Sequence, residues 1–199
     1  PPEQMPRWFA EVRALPNRIH QDYLLTLMFT GLRRTSAAEI KWEHVDLEQH
    51  TLFIPNPKGG EEKAFTLPLS DYLTDLLKTR KNQNAEFFPN SVYAFPAVSR
   101  TGHIVSPNRN GMTVTFTLHD LRRVFITAAE SLNLSPYVIK LLANHAVPKS
   151  DVTGGYIQAE TERLRTPMQQ ITNKLVTLCT PTDDNVVPMN AASVKQESS

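Results

Sequence analysis

The 199-residue sequence has little cysteine and no long apolar run. Its single cysteine, Cys179, excludes a disulfide framework within the chain and fits a reducing cytoplasm. The longest apolar run, residues 24–29, falls well short of the roughly 20 residues needed to span a bilayer. The proline-bearing opening does not have the pattern of a secretory leader. We therefore expect a cytoplasmic protein with no membrane segment.

The common signatures of metal, nucleotide and hydrolase chemistry are also missing. The six histidines include no HExxH pair and are accompanied by neither cysteine pairs nor a dense acidic cluster. There is no Walker loop, no GxGxxG and no GxSxG. We therefore expect neither a metal nor a cofactor, and nucleotide-driven or serine-hydrolase chemistry is disfavoured.

Charge is nearly balanced overall but unevenly distributed. The net charge is +1, whereas residues 100–150 hold six basic residues against two acids. The six are Arg100, Arg109, Arg122, Arg123, Lys140 and Lys149. This segment permits an anionic partner, of which nucleic acid is the commonest large one. A merely solvated basic surface is the alternative.

Hydrophobic periodicity predicts a mainly α protein with one small antiparallel β-sheet, an α+β fold. Helices are predicted over residues 6–15, 18–32, 35–42, 70–82, 117–132, 135–145 and 159–179. Ser36 and Glu39 form a candidate capping box for the third of these. A hairpin is predicted with strands at 51–54 and 63–67, and residues 85–115 are predicted to be mostly loop.

The segment TLHDLRRVF, residues 117–125, combines a core-facing apolar stripe with a polar side. His119, Arg122 and Arg123 are predicted to project away from the apolar face, since residues three and four apart are neighbours on a helix. A solvated helix face is the ordinary interpretation of such a pattern. Its alternative is a set of groups that bind one anion.

Four other residues share this phosphate-directed chemistry, and each has a structural alternative. Arg33 follows a helix end, where a cation is favoured by the helix dipole. Lys58 is at the predicted hairpin turn and is by itself an ordinary solvated lysine. His145 ends a predicted helix, and Tyr156 stands in a small-residue loop where a packing role is common.

The order and spacing of these residues resemble the catalytic domain of the tyrosine recombinases, the phage-integrase family. The chain reads TGLR ending at Arg33, Lys58 in the hairpin, HDLR for residues 119–122, then LLANHAVPKSDVTGGY with His145 and Tyr156. The segment AAEIKWEHVDLEQHTLFI is also similar to the pattern ALxLxWxDID…I, which follows the first arginine in that family. The resemblance spans about residues 21–163. Ser36 stands where the family usually has an acidic residue, and ANH replaces the usual LGH.

The resemblance implies a tyrosine recombinase catalytic domain over residues 1–179. It implies a C-terminal tail over residues 180–199, either flexible or packed on a neighbouring protomer. Its partners would be double-stranded DNA and further copies in a tetramer, and an N-terminal DNA-binding domain would be missing from this chain. We expect site-specific DNA cleavage and rejoining. The alternatives are an inactive DNA-binding relic of the fold and a type IB topoisomerase-like enzyme.

The same resemblance implies a role for each site residue. Tyr156 would be the nucleophile of a covalent 3′-phosphotyrosyl intermediate, and Arg33 and Arg122 would bind the non-bridging phosphate oxygens. Lys58 would protonate the leaving 5′ oxygen. The remaining candidates are His119 for proton transfer, His145 for a hydrogen bond to the phosphate, and Arg34 and Arg123 for contacts to the DNA backbone.

Overall fold

A computed structural model describes residues 1–143 and 154–181, with only the backbone described for residues 154–158. Seven α-helices are described: α1 (Met5–Ala14), α2 (Arg18–Thr30), α3 (Arg34–Ala38), α4 (Asp71–Phe87), α5 (Leu118–Ser131), α6 (Pro136–Leu142) and α7 (Gly154–Cys179). Three strands form one antiparallel sheet in the order β1 (Val45–Asp46), β2 (Thr51–Ile54), β3 (Phe65–Pro68). The predicted α+β fold class is confirmed.

Helix α2 is the centre of the core. All of its residues from 21 to 30 are buried, as is Ile19, so the helix is enclosed on every side. Asn17 caps its start by accepting hydrogen bonds from the Ile19 and His20 amides. Its end is the left-handed Gly31, at φ +64°. The helix predicted over residues 18–32 is therefore confirmed, with its end at Thr30, directly before Gly31.

The other elements surround α2. Helix α5 packs on it, and α7 contacts α1, α2, α5 and β3. In the sheet, β2 pairs with β3 from Thr51 opposite Pro68 to Ile54 opposite Phe65. Among the described residues, no helix is long and apolar enough to cross a membrane.

A buried polar network joins α2 and α4 to the chain that follows α4. Arg80 donates to Asp22 at 3.2 Å and to Asn84 at 2.9 Å. The Asn84 amide donates in turn to the carbonyls of Tyr93 and Ala94. Burial raises the pKa of Asp22, and the opposing charge of Arg80 is the main effect that lowers it again. This network ties α2 and α4 to the segment that follows α4.

Several local predictions need correction. The capping box of Ser36 and Glu39 is wrong, because α3 begins at Arg34 after an extended Arg33 and Ser36 falls inside the helix. Helix α6 ends at Leu142 rather than at residue 145. The backbone of Tyr156 belongs to the first turn of α7, although a loop was predicted there. Its two preceding glycines favour a loop, but the helix already begins at Gly154.

Candidate active site

The end of α2 is fixed so that Arg33 emerges from it in a defined direction. The Thr30 hydroxyl accepts a hydrogen bond from the Leu32 amide at 3.2 Å. The Tyr23 hydroxyl, on a side chain with no exposed surface, donates to the Arg34 carbonyl at 2.8 Å. Burial raises the pKa of Tyr23 to about 12, so this donor keeps its proton at any physiological pH. Arg33 itself is half-buried and Arg34 is exposed.

Gly31 is required at this corner for two separate reasons. Its φ of +64° is a conformation that side-chain-bearing residues adopt rarely. A Cβ atom added at this position would lie 2.5 Å from a ring carbon of Phe125, which is fully buried in α5. The glycine therefore lets the end of α2 approach α5 closely.

Arg122 crosses from α5 to that same corner and is buried, with 5% of its surface exposed. One terminal nitrogen donates to the Gly31 carbonyl at 2.5 Å, and the other donates to the Ala143 carbonyl at 2.5 Å. Burial, and secondly the nearby charge of Arg33, lower the pKa of Arg122 to about 10. The guanidinium therefore remains charged at neutral pH.

The solvated-face interpretation is wrong for Arg122 and fits its neighbours on α5. His119 and Arg123 are exposed, whereas Arg122 is enclosed. His119 lies in the first turn of the helix, one turn before Arg122. That turn is secured by a capping box: the Thr117 hydroxyl accepts from the Asp120 amide, and the Asp120 carboxylate accepts from the Thr117 amide at 2.8 Å.

The remaining candidates are distributed around this corner in different ways. Lys58 is exposed in the turn between β2 and β3, next to Gly59 and Gly60, which both have positive φ. Tyr156 is described only as backbone in the first turn of α7. His145 lies outside the described residues. The structure thus brings Arg33 and Arg122 together, with His119 on the same helix as Arg122.

A groove of about 410 Å³ opens beside α3. Ser36 of α3 and Glu39, directly after that helix, line it on one side, with Asn56 at the root of the hairpin turn. Lys41 adds an amine to this lining, and His44 and His103 add imidazole rings. Ser36, where the tyrosine recombinases usually have an acid, leaves Glu39 as the sole acidic residue among those that line the groove.

The sequence analysis did not identify the residues that stabilise the backbone around this site. Tyr23, Thr30 and the Thr117–Asp120 pair act through backbone groups of the segments that present Arg33 and His119. The capping box was readable in the sequence as Thr117 followed three residues later by an acid. The Tyr23 and Thr30 contacts had no such local signal.

Comparison with known proteins decides the family. The sequence model of the phage integrase family matches residues 1–163. The chain belongs to the phage integrase family. It is 30% identical over 150 residues to the prophage integrase IntF of Escherichia coli K12, an alignment that covers 72% of this chain and 32% of that protein. With the prophage integrase IntZ of the same organism it shares 28% identity, covering 85% of this chain and 42% of the relative.

Solved integrase structures have the same fold. An integrase from mycobacterium phage Brujita superposes with a TM-score of 0.57 at 21% identity, covering 86% of this chain and 61% of that one. The Tn1549 transposon integrase, solved in complex with transposon right end DNA, gives a TM-score of 0.59 at 15% identity, covering 82% and 65%. The fold is that of a tyrosine recombinase catalytic domain. The chain spans about a third to two-fifths of the length of the curated relatives it matches.

Proposed function

We propose that this chain is the catalytic part of a site-specific recombinase, an integrase of a phage or other mobile element. It would cleave and rejoin DNA through a covalent 3′-phosphotyrosyl intermediate. The observation that supports this most is the pair of neighbouring guanidiniums, Arg33 and Arg122. Neither has a carboxylate partner among the described residues.

Two adjacent arginines without an acid suit a phosphodiester. Their like charges repel each other until an anion lies between them, and their planar N–H groups match the geometry of phosphate oxygens. Attack on the phosphorus builds further negative charge on the non-bridging oxygens. Donors that are already fixed in position stabilise that charge without having to reorganise.

In the proposed reaction, the Tyr156 phenol oxygen attacks the phosphorus. The new tyrosyl–phosphorus bond forms as the bond from phosphorus to the 5′ oxygen breaks, and Lys58 gives that oxygen its proton. His119 takes part in proton transfer at the tyrosine, and His145 donates a hydrogen bond to the phosphate. The ester conserves the bond energy, so a second DNA 5′-hydroxyl can displace the tyrosine without a nucleotide cofactor.

The proposed partner is double-stranded DNA. Relatives are named as prophage integrases, and the Tn1549 transposon integrase is solved with DNA bound. Arg34 and Arg123, both exposed, are proposed to contact the DNA backbone. Assembly into a tetramer on DNA, and a DNA-binding domain elsewhere in a longer protein, belong to the same proposal.

Covalent trapping on a nicked duplex tests the proposal. The duplex carries the attachment-site core of the element, and the product is a denaturant-resistant protein–DNA band. We expect the band with the unmodified chain and its loss in Tyr156→Phe, because a phenyl ring has no nucleophile. Tyr137→Phe is the matched control: it removes an exposed hydroxyl that bonds Glu160, and the band should persist.

Each other outcome contradicts part of the proposal. A band that persists in Tyr156→Phe would show that Tyr156 is not the nucleophile. DNA binding without a band in any variant would favour the inactive relic. Relaxation of supercoiled plasmid by the unmodified chain, with covalent linkage but without recombinant products, would favour the topoisomerase-like alternative.

A further inference from the structure

The long connection between α4 and α5 contains no acid. Residues 87–119 include neither Asp nor Glu, while Arg100, His103, Arg109 and His119 supply basic groups. The segment ends at the capped start of α5, next to the proposed site. A segment with no carboxylate of its own over such a length adds no repulsion toward a polyanion.

The last part of this connection, which we name the 107–116 loop, is exposed yet firmly anchored. At one end, the backbone N–H of Asn108 donates to His20 Nδ1 at 3.0 Å. At the other, the Thr113 and Val114 amides donate to the Glu11 carboxylate at 2.8 and 3.0 Å. These bonds tie the loop to α1 and α2, so its shape is set before any partner binds.

Arg109 is held in place within this loop. One of its terminal nitrogens donates to the Phe116 carbonyl at 2.7 Å, and the guanidinium lies 5.2 Å from the centre of the Phe116 ring. Phe116 in turn packs edge-on against the buried Trp8. No carboxylate pairs with Arg109 within the part of the chain that the structure describes. An ordered arginine loses little side-chain entropy when it binds.

The side chains at the loop tip match base edges better than phosphates. Asn108, Arg109 and Asn110 are all exposed, and they line a groove of about 490 Å³. An asparagine amide offers both a donor and an acceptor, whereas a phosphate presents only acceptors. Base edges in the major groove present both kinds of group; arginine pairs with guanine and asparagine with adenine.

Helix α2 sets the distance between this loop and the proposed site. His20, which anchors Asn108, is near the start of α2, and Gly31, which anchors Arg122, follows its end. The rise between those two residues is about 17 Å. A duplex lying parallel to α2 would cover about five base pairs in this length, at roughly 3.4 Å each.

We infer that the 107–116 loop reads DNA sequence, with Arg109, Asn108 and Asn110 contacting base edges a few base pairs away from the cleaved phosphate. The inference rests on the proposed function, since DNA is the partner in both. It adds a surface for sequence discrimination that is separate from the catalytic residues.

Selection from a randomised pool of duplex DNA tests the inference. The chain is used in a Tyr156→Phe background so that no cleavage occurs, and bound duplexes are sequenced to give base preferences. Arg109→Lys keeps the charge but loses the fork of donors. We expect it to lose a preference for guanine of about tenfold or more at one position, with the salt dependence of binding unchanged.

Two further variants guard against misinterpretation. Asn110→Ala removes a side chain for which the structure shows no hydrogen bond, so the loop should stay folded while a second preference weakens. Lys78→Ala removes an exposed cation on α4 and should leave every base preference intact. Unchanged melting temperatures of all three variants show that the loop has not simply unfolded.

Three results would overturn the inference. The first is the absence of any base preference in the starting protein. The second is a set of preferences that none of the loop variants alters. The third is a uniform loss of affinity across all sequences in Asn110→Ala, together with a smaller salt dependence in an added Arg109→Ala variant, which would mean that the loop contacts only phosphates. Covalent trapping of the unmodified chain separates these failures from a failure of the proposed function.

Discussion

Arg122 and Lys58 are proposed to act on the same phosphodiester, yet the protein holds them in opposite ways. Arg122 is buried, and its guanidinium bonds two backbone carbonyls from distant parts of the chain. Lys58 is exposed in a turn that contains two positive-φ glycines. One cation is therefore part of the folded core, whereas the other is added to the surface. The first should couple catalysis to folding, and the second should not.

Arg122→Ala should have the largest effect on folding. It leaves the carbonyls of Gly31 and Ala143 without their charged donor in a buried setting, which should cost about 3 kcal/mol of unfolding free energy. Covalent trapping should be lost as well. Urea unfolding measures the first effect directly. Arg122→Ala with wild-type stability would show that the two carbonyl contacts contribute nothing to the fold.

Gly31→Ala should have the next largest effect and lower the unfolding free energy by about 3 kcal/mol or slightly less. The strain of a left-handed alanine adds to overpacking against Phe125. Gly60→Ala is the matched control in the other region. Its φ is +93°, but an added Cβ would meet nothing within 4 Å, so only strain of about 1 to 2 kcal/mol is expected. Equal costs in urea unfolding would show that contact with Phe125 is unimportant.

Lys58→Ala should change the unfolding free energy by less than about 0.5 kcal/mol, as is usual for exposed positions. Its effect should appear in the chemistry. Loss of a general acid typically lowers a rate by about 100-fold or more, here the rate of covalent-complex formation. Lys63→Ala, in the same turn, is the control. A normal rate in Lys58→Ala would remove this lysine from the mechanism.

The smallest expected effect is on acid stability and involves Glu11. Hydrogen bonds from Thr113 and Val114 lower the pKa of Glu11 from 4.5 to about 2. A carboxyl with a lowered pKa stabilises the fold above its ordinary pKa, and this stabilisation is lost as the pH falls from about 4.5 toward 2. Glu11→Gln should flatten the decline in stability across that range, whereas Glu3→Gln, at an exposed carboxylate, should not. If the unfolding free energy of Glu11→Gln fell with pH in parallel with that of the unmodified chain, Glu11 would not be the source of this acid sensitivity.

Elements set by local signals were predicted well from the sequence. Gly31 ends α2, residues 51–54 form β2, and Ser135 with Pro136 begins α6, because caps and turn residues act on their immediate neighbours. The prediction for Ser36 failed by the same logic. Its side chain was a plausible cap, but the extended backbone at Arg33 starts the helix two residues before Ser36.

The site was predicted only in part, since its decisive contacts are long-range. The spacing of His119 and Arg122 located both residues on α5. Nothing in that spacing revealed that Arg122 is buried, because the carbonyl of Gly31 is 91 residues away in the sequence. The Tyr23 contact to Arg34 and the Glu11 contact to the 107–116 loop are equally remote from any local pattern.

The double carbonyl contact of Arg122 also limits how this chain can decay during evolution. A mobile element that no longer moves accumulates substitutions, and most of them are tolerated if the protein still folds. Loss of Arg122 would lower the abundance of the folded protein as well as the proposed activity, since the same guanidinium holds two helix ends together. Loss of Lys58 would leave the protein folded and, under the proposed function, inactive. Inactive descendants that persist should therefore have lost the surface lysine and kept the buried arginine.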